Sequence, residues 1–158
     1  MFRKMRRFKQ QIPDSVCIDL LRTLPRGVLA VLGDEGYPYT VPLDFYYDDE
    51  SGHLFFHCAR EGHKIDAIRQ CDKASFCVMD EGYRREGEWA LNIQSVIVFG
   101  RIRPVEDPVR TIEMVRRLGL KYDPSAESVE EEIRKAAHRV LCLELCPEHI
   151  TGKLVNES

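Results

Sequence analysis

The chain has no CxxC pair, no GxGxxG fingerprint and no apolar run near the ~20 residues that a membrane-spanning helix needs. Its longest apolar stretches, 28–32 and 96–99, are far too short, so no membrane partner is expected. Neither sign of charge dominates: 23 Lys and Arg face 26 Asp and Glu, a formal balance of −3. That excludes a surface built throughout for nucleic acid. No Pro-, Gly- or Ser-rich linker and no internal repeat divides the sequence. Its 158 residues, 44% of them hydrophobic, therefore read as one domain, 1–158, with a single core. The start is basic (Arg3, Lys4, Arg6, Arg7, Lys9) but lacks an apolar segment after it, so no secretory signal is expected. The default compartment is the cytoplasm, with residues 1–12 as a flexible basic arm.

Six cysteines are present: Cys17, Cys58, Cys71, Cys77, Cys142 and Cys146. In a chain long enough for a core and without an export signal they read as reduced thiols. Cys142, Cys146 and His149 raise the question of zinc. The tight paired spacing of a structural zinc site is missing, however, and Cys142 lies in an alternating apolar stretch that suits a buried thiol. The expectation is structural thiols and no metal.

Asp14 is an N-cap candidate, and Val16, Leu20, Leu21 and Leu24 follow at helical spacing until Pro25 and Gly27 stop the helix. Strands are predicted at 27–32, 37–47 and 53–58, separated by turn chemistry at 33–36 and 48–52, which reads as a meander. A short helix is predicted over 62–69, strands over 74–79 and within 89–105, with Gly100 marking a bulge or bend. Pro108 opens a helix running to about Leu118; another spans 125–137, and 138–146 is a last strand. The antiparallel strands and short helices point to a mainly β fold, a small barrel or a sheet with helices packed at its ends.

Three segments carry chemistry. In Phe55-Phe56-His57-Cys58-Ala59-Arg60-Glu61-Gly62-His63-Lys64 a strand leads through a loop into a helix start, where free N–H groups and basic side chains suit a phosphate monoester. Solvated basic residues fit the same spacing. His57, at the strand end, reads either as a half-buried ring satisfied by the backbone or as a reactive group. Pro38 and Pro42 in Tyr37-Pro38-Tyr39-Thr40-Val41-Pro42-Leu43 cannot donate to a ladder. They mark an irregular edge that could hold a planar ligand or simply resist further pairing. Asn92-Ile93-Gln94-Ser95-Val96 puts polar residues into an apolar strand, which alternation alone also explains.

Taken in order, Gly36 to Leu43, Phe56 to Lys64, Glu88 to Gly100 and His149-Ile150-Thr151-Gly152-Lys153 resemble the nitroimidazole-resistance (Nim) proteins, within the pyridoxamine 5′-phosphate oxidase-like flavoproteins. The similarity runs from about Cys17 to Lys153. It implies a split β-barrel, a Greek-key antiparallel barrel flanked by helices, assembled as a homodimer with FMN at the interface. It further implies that Tyr39, Thr40, Val41, Pro42 and Leu43 lie along the isoalloxazine, and His57, Cys58 and Ala59 along the ribityl chain and flavin edge. His63 and Lys64 would hold the phosphate, Gln94 and Ser95 would come from the second subunit, and Lys153 would approach the cofactor. His57 is the position for substrate contact, hence the catalytic candidate. The basic substrate motif of true pyridoxamine-phosphate oxidases is missing from 151–158, so pyridoxamine 5′-phosphate is not the expected substrate.

The resulting expectation is an FMN-dependent oxidoreductase that reduces a nitroaromatic or other small planar acceptor, with the flavin supplying the redox chemistry. The alternative is a non-catalytic protein that stores or senses flavin, or binds haem or a deazaflavin. A nucleic-acid binder using the basic arm is a third reading, and a weaker one given the charge balance.

Overall fold

The computed structural model describes residues 1–156; Glu157 and Ser158, which end the expected domain, lie outside the described residues. Seven strands form one antiparallel sheet: β1 (Arg26–Leu32), β2 (Pro38–Asp44), β3 (Tyr46–Asp48), β4 (His53–Ala59), β5 (Lys73–Met79), β6 (Asn92–Pro104) and β7 (Val140–Asn156). Four helices flank it: α1 (Asp14–Thr23), α2 (His63–Gln70), α3 (Pro108–Tyr122) and α4 (Ala126–Ala136). Strand order is β2-β1-β5-β6-β7-β4-β3. β2 and β3 are therefore the two edges, yet only Phe45 separates them in the chain. One residue can bridge opposite edges only if the sheet curls until those edges meet, so the sheet is a split β-barrel.

This closure corrects two expectations. The stretch 37–47 is not one strand but two, broken at Phe45, whose side chain is fully buried in the core. The first three predicted strands pair in succession, β1 with β2 and β3 with β4, but the break at Phe45 puts β2 and β3 on opposite edges, so they are not one flat meander. Turn chemistry showed where the chain reverses; it carried no information on which edge the chain reverses onto. The last strand is also much longer than 138–146, running on through the closing Thr151-Gly152-Lys153.

Alternation sorts the side chains. Leu29 and Val31 of β1, Phe76 and Val78 of β5, Val96 and Val98 of β6, Leu54 and Phe56 of β4, and Leu143 and Leu145 of β7 fill the barrel. Phe76 meets Phe45 and Phe56 edge-on, with centroids 4.9 and 5.1 Å away, the geometry that aromatic quadrupoles favour. α1 adds Cys17 and Leu21 to the same core. It presses so closely on β7 that a Cβ at Gly152 would sit 2.6 Å from the Cys17 sulfur. A register shift falls between Phe99 and Gly100, where Phe99 faces His149 but Gly100 faces Pro147. The sequence had marked that glycine for a bulge.

α3 is capped by Asp107, whose carboxylate accepts the Val109 N–H at 2.9 Å, with Pro108 in the first turn. It covers the outside of β4 and β7 with Met114 against Phe55 and Cys142. Its end clamps the barrel closure. The Lys121 ammonium donates to the Leu24 and Phe45 carbonyls at 2.8 and 2.9 Å and lies 3.8 Å from the centre of the Phe45 ring. The Tyr122 hydroxyl accepts the Phe45 N–H and donates to the Pro25 carbonyl. Burial pulls the Lys121 pKa from 10.5 to about 8, with Asp44 opposing the shift. Below about pH 8 both folded and unfolded chains hold that proton, and the buried charge costs stability in full. Between there and 10.5 the unfolded chain keeps a proton that the folded one has released, so stability rises with pH. Measured against Lys121→Met in denaturant titrations, the parent should gain stability across that window; parallel pH profiles would remove Lys121 as the titrating group.

The segment before α1 lies against the sheet rather than away from it. The Phe2 ring stacks on His149 at 4.7 Å, with Phe99 5.9 Å away. Phe8–Gln10 forms a 3-10 turn, Gln11 bridges to Lys153, and the Ile12 N–H reaches the Gly152 carbonyl at 3.1 Å.

Candidate functional site

Register shows which way each candidate points. On β2, Thr40 and Pro42 face outward, opposite Ala30 and Val28. Tyr39, Val41 and Leu43 face the interior and pack against the core. Of the five residues expected along a planar ligand, two thus offer side chains to the outer surface; the other three offer it backbone only. On β4, His57 and Ala59 face outward opposite Cys142 and Val140, while Cys58 packs inward against the core. The closure brings the outer faces of β2 and β4 to one seam.

α2 begins at that seam. Its cap position is Gly62, at φ 121°, a conformation that disfavours a side chain. No side chain caps the helix, and while the Ile65 N–H already meets the Gly62 carbonyl at 2.9 Å, the N–H groups of His63 and Lys64 stay open to an anion. Lys64 is half-buried in the first turn and has no ion-pair partner among the described residues. Its charge reaches both neighbours on β4: it pulls down the pKa of His57, which burial already lowers and Asp44 raises, and opposes the burial that raises Cys58. His57 is surface-exposed as a residue, yet enough protein crowds its ring to hold the pKa below the usual histidine value. His63 is more constrained than its sequence position suggested. Its Nε2 accepts the Asp34 N–H at 3.2 Å, and its ring lies 4.2 Å from that of Tyr39. The β1–β2 turn thus holds His63 in place, leaving Lys64 as the freer cation.

Gln94, Ser95 and Lys153 lie elsewhere. Ser95 faces Lys153 across the β6–β7 ladder and Met79 across β5–β6. Within one chain, β1 and β5 stand between β6, which carries Gln94 and Ser95, and β2, a gap of about 14 Å at the usual strand spacing; Lys153 is one strand further on, in β7, whose other half pairs with β4. The surface between is apolar: Val28, Ile97 and Phe99 are 41%, 37% and 41% exposed, and Met79 is 67% exposed. Lys153 reaches over this face, where its charge opposes the burial that raises Cys77.

Sequence reasoning missed Asp44, which faces outward on β2 opposite Arg26, pairs with it at 2.8 Å and influences His57 across the seam. It also missed a buried network around Glu144. Oε1 receives His53 Nδ1 and Arg110 Nη2, each at 2.8 Å, and Oε2 receives Arg103 at 3.2 Å. Cys146 lies 3.7 Å from the same histidine nitrogen, so His53, Glu144 and Cys146 have the donor set of a metal site. Two guanidinium groups already occupy the carboxylate, which makes this an ion-pair network instead. Burial pushes the thiol of Cys142, one strand position from Leu143, up to about 12, the behaviour of an inert core sulfur.

A family model described as pyridoxamine 5′-phosphate oxidase matches residues 13–154. No curated protein matches the chain significantly. Among solved structures, a candidate 5-nitroimidazole antibiotic resistance protein from Bacteroides thetaiotaomicron superposes with a TM-score of 0.75 at 18% identity, over 92% of this chain and 87% of that one. A FAD-binding protein from Mesorhizobium loti gives 0.67 at 22% identity, over 92% and 97%. The FAD and heme binding protein from Mycobacterium smegmatis gives 0.72 at 20% identity, over 94% and 74%. At these identities the likeness is one of fold.

Proposed function

Because the chain belongs to the pyridoxamine 5′-phosphate oxidase family, we propose that it is an FMN-dependent oxidoreductase, acting as a homodimer on a nitroaromatic or other small planar acceptor. The observation that carries this reading is the seam. An uncapped helix start with Lys64, the outward Thr40 and Pro42, and His57 and Ala59 converge there on one side of the barrel. The α2 N–H groups and Lys64 suit the phosphate, and the outward β2–β4 surface suits the ring. Bound FMN would supply the electrons; the chain positions the acceptor, restricts water and offers a proton or hydrogen bond from His57.

The homodimer part of the reading is supported by the separation of the two groups of candidates. Gln94 and Ser95 on β6 and Lys153 on the far half of β7 stand apart from Thr40, Pro42 and Lys64, and in this reading they would serve a second copy's cofactor. The apolar outer face of β1, β5 and β6 is what such a pairing would bury. Flavin binding without turnover is the second reading, favoured by the likeness to a protein that binds both FAD and heme. An absorbance spectrum of the purified protein separates them at the first step: flavin bands support the proposal, a Soret band supports the haem reading, and a colourless protein that takes up neither ligand rejects both. With flavin bound, reoxidation by a nitroimidazole under anaerobic conditions distinguishes enzyme from store.

The phosphate assignment has its own test. Lys64→Ala should weaken FMN binding by roughly 1.5–3 kcal/mol, the contribution of a charge-assisted contact. Equal affinities of variant and parent in titration calorimetry would move the phosphate away from α2. Sedimentation should show a dimer that FMN stabilises by mass action; a monomer that binds FMN tightly would place the whole site in one chain.

A further inference from the structure

The basic start of the chain is absorbed by none of this, yet the fold puts it beside the residues given to the second copy. A cleft of about 200 Å³ between the arm and the sheet is lined by Arg3 and Met5 from the arm and by Ser95, Ile97 and Lys153 from β6 and β7. A second, of about 620 Å³, is lined by Arg6 and Arg7 together with Met79, Ser95 and Lys153. Ser95 and Lys153 belong to both. The arm is held from both ends: Phe2 by its stack on His149, and residues 11 and 12 by their bonds to Lys153 and Gly152. Among the described residues no carboxylate pairs with Arg3, Arg6, Arg7 or Lys153. Four cations thus share one apolar-floored strip with no counter-charge, an arrangement that costs self-repulsion unless an anion or a developing negative charge comes to it.

We propose that residues 1–7 form the outer wall of the paired copy's cofactor site, with Arg3, Arg6 and Arg7 placed to favour the reduced flavin over the oxidised one. The assignment rests on the dimeric flavoprotein reading above, in which Ser95 and Lys153 face the paired copy's cofactor. Two-electron reduction loads negative charge onto the flavin ring, and positive charge beside the ring therefore stabilises the reduced form selectively and raises the potential. The arm's cations lie at the protein surface, so their effect is screened by salt.

The test is the midpoint potential of bound flavin, read spectroscopically against a reference dye, in the parent and in an Arg3→Gln/Arg6→Gln/Arg7→Gln variant. The variant should hold reduced flavin about tenfold less tightly relative to oxidised flavin, which for a two-electron couple lowers the potential by about 30 mV. Added salt should bring the parent toward the variant. A chain starting at Phe8 should show at least the same shift, and sedimentation of the triple variant should still give a dimer. Equal potentials in parent and triple variant at low salt would overturn the assignment of the arm while leaving flavin binding intact. A parent that takes up no flavin would overturn both readings together.

Discussion

A His57→Gln variant should keep its flavin bands and dimeric state but reduce a nitroimidazole roughly 10²-fold more slowly, the scale of a lost general acid. The expectation comes from placement. His57 faces outward at the end of β4, opposite Cys142, on the same seam as Thr40, Pro42 and Lys64. Burial and the charge of Lys64 lower its pKa, while Asp44 across the seam works the other way. At neutral pH the ring is therefore mostly neutral, and it offers an acceptor a hydrogen bond more readily than a full proton. If the protonated form is the reactive one, the parent's rate should climb as pH falls through that lowered pKa, while the Gln variant stays flat. Stopped-flow reoxidation of the two reduced proteins with the same acceptor across pH decides this. Matching rates at every pH would leave His57 as a packing residue and favour the non-catalytic reading.

The second large effect concerns folding. Gly100→Val should destabilise the protein by about 3 kcal/mol or more, at or beyond the upper end of what overfilling a well-packed site usually costs. A Cβ at Gly100 would lie 2.2 Å from the Cys146 carbonyl oxygen and 2.9 Å from its carbon, and backbone cannot rotate out of the way as a side chain can. Relief requires moving β7 off β6 at the register shift, and with it the stretch that carries Thr151 and Lys153. Gly36→Ala is the control. Its φ of 75° strains an alanine, but nothing lies within 4 Å of the new methyl, so the cost should be nearer 1 kcal/mol. Chemical denaturation of both variants should separate these magnitudes; similar midpoints would mean that β7 shifts at little cost.

Local chemistry made much of the fold legible. The helix starts at Asp107-Pro108 and Ser125 and the alternation in β1, β5 and β6 sit where the residue types put them, whereas Asp14, read as an N-cap, is the first helical residue of α1, behind Pro13 and with no side-chain cap bond. What alternation could not carry was partnership between strands. β7 pairs with both β4 and β6 across long separations in sequence, and no turn residue records that choice. The same limit governed the site. The nearness of His57 to Lys64 was readable because a strand end and a helix start are adjacent in the chain. Asp44 and the Glu144 network were not, since each exists only after distant segments meet. Tyr39 shows a subtler limit: the run containing it was read as one stretch along a planar ligand, and strand parity turns its ring to the interior, against His63, leaving only backbone on the outer side.

Phe45 has a bearing on solubility. Each edge of an open sheet exposes unpaired N–H and C=O groups on which another chain can grow. Here the two edge strands are joined by a single buried residue, so one event, the docking of Phe45 beneath Lys121, turns both edges toward each other. Until then the chain holds two open templates. Pro38 and Pro42, which cannot donate to a ladder, blunt the β2 edge during that interval. The prolines in the proposed flavin-facing strand thus also act as guards against polymerisation before the barrel has closed.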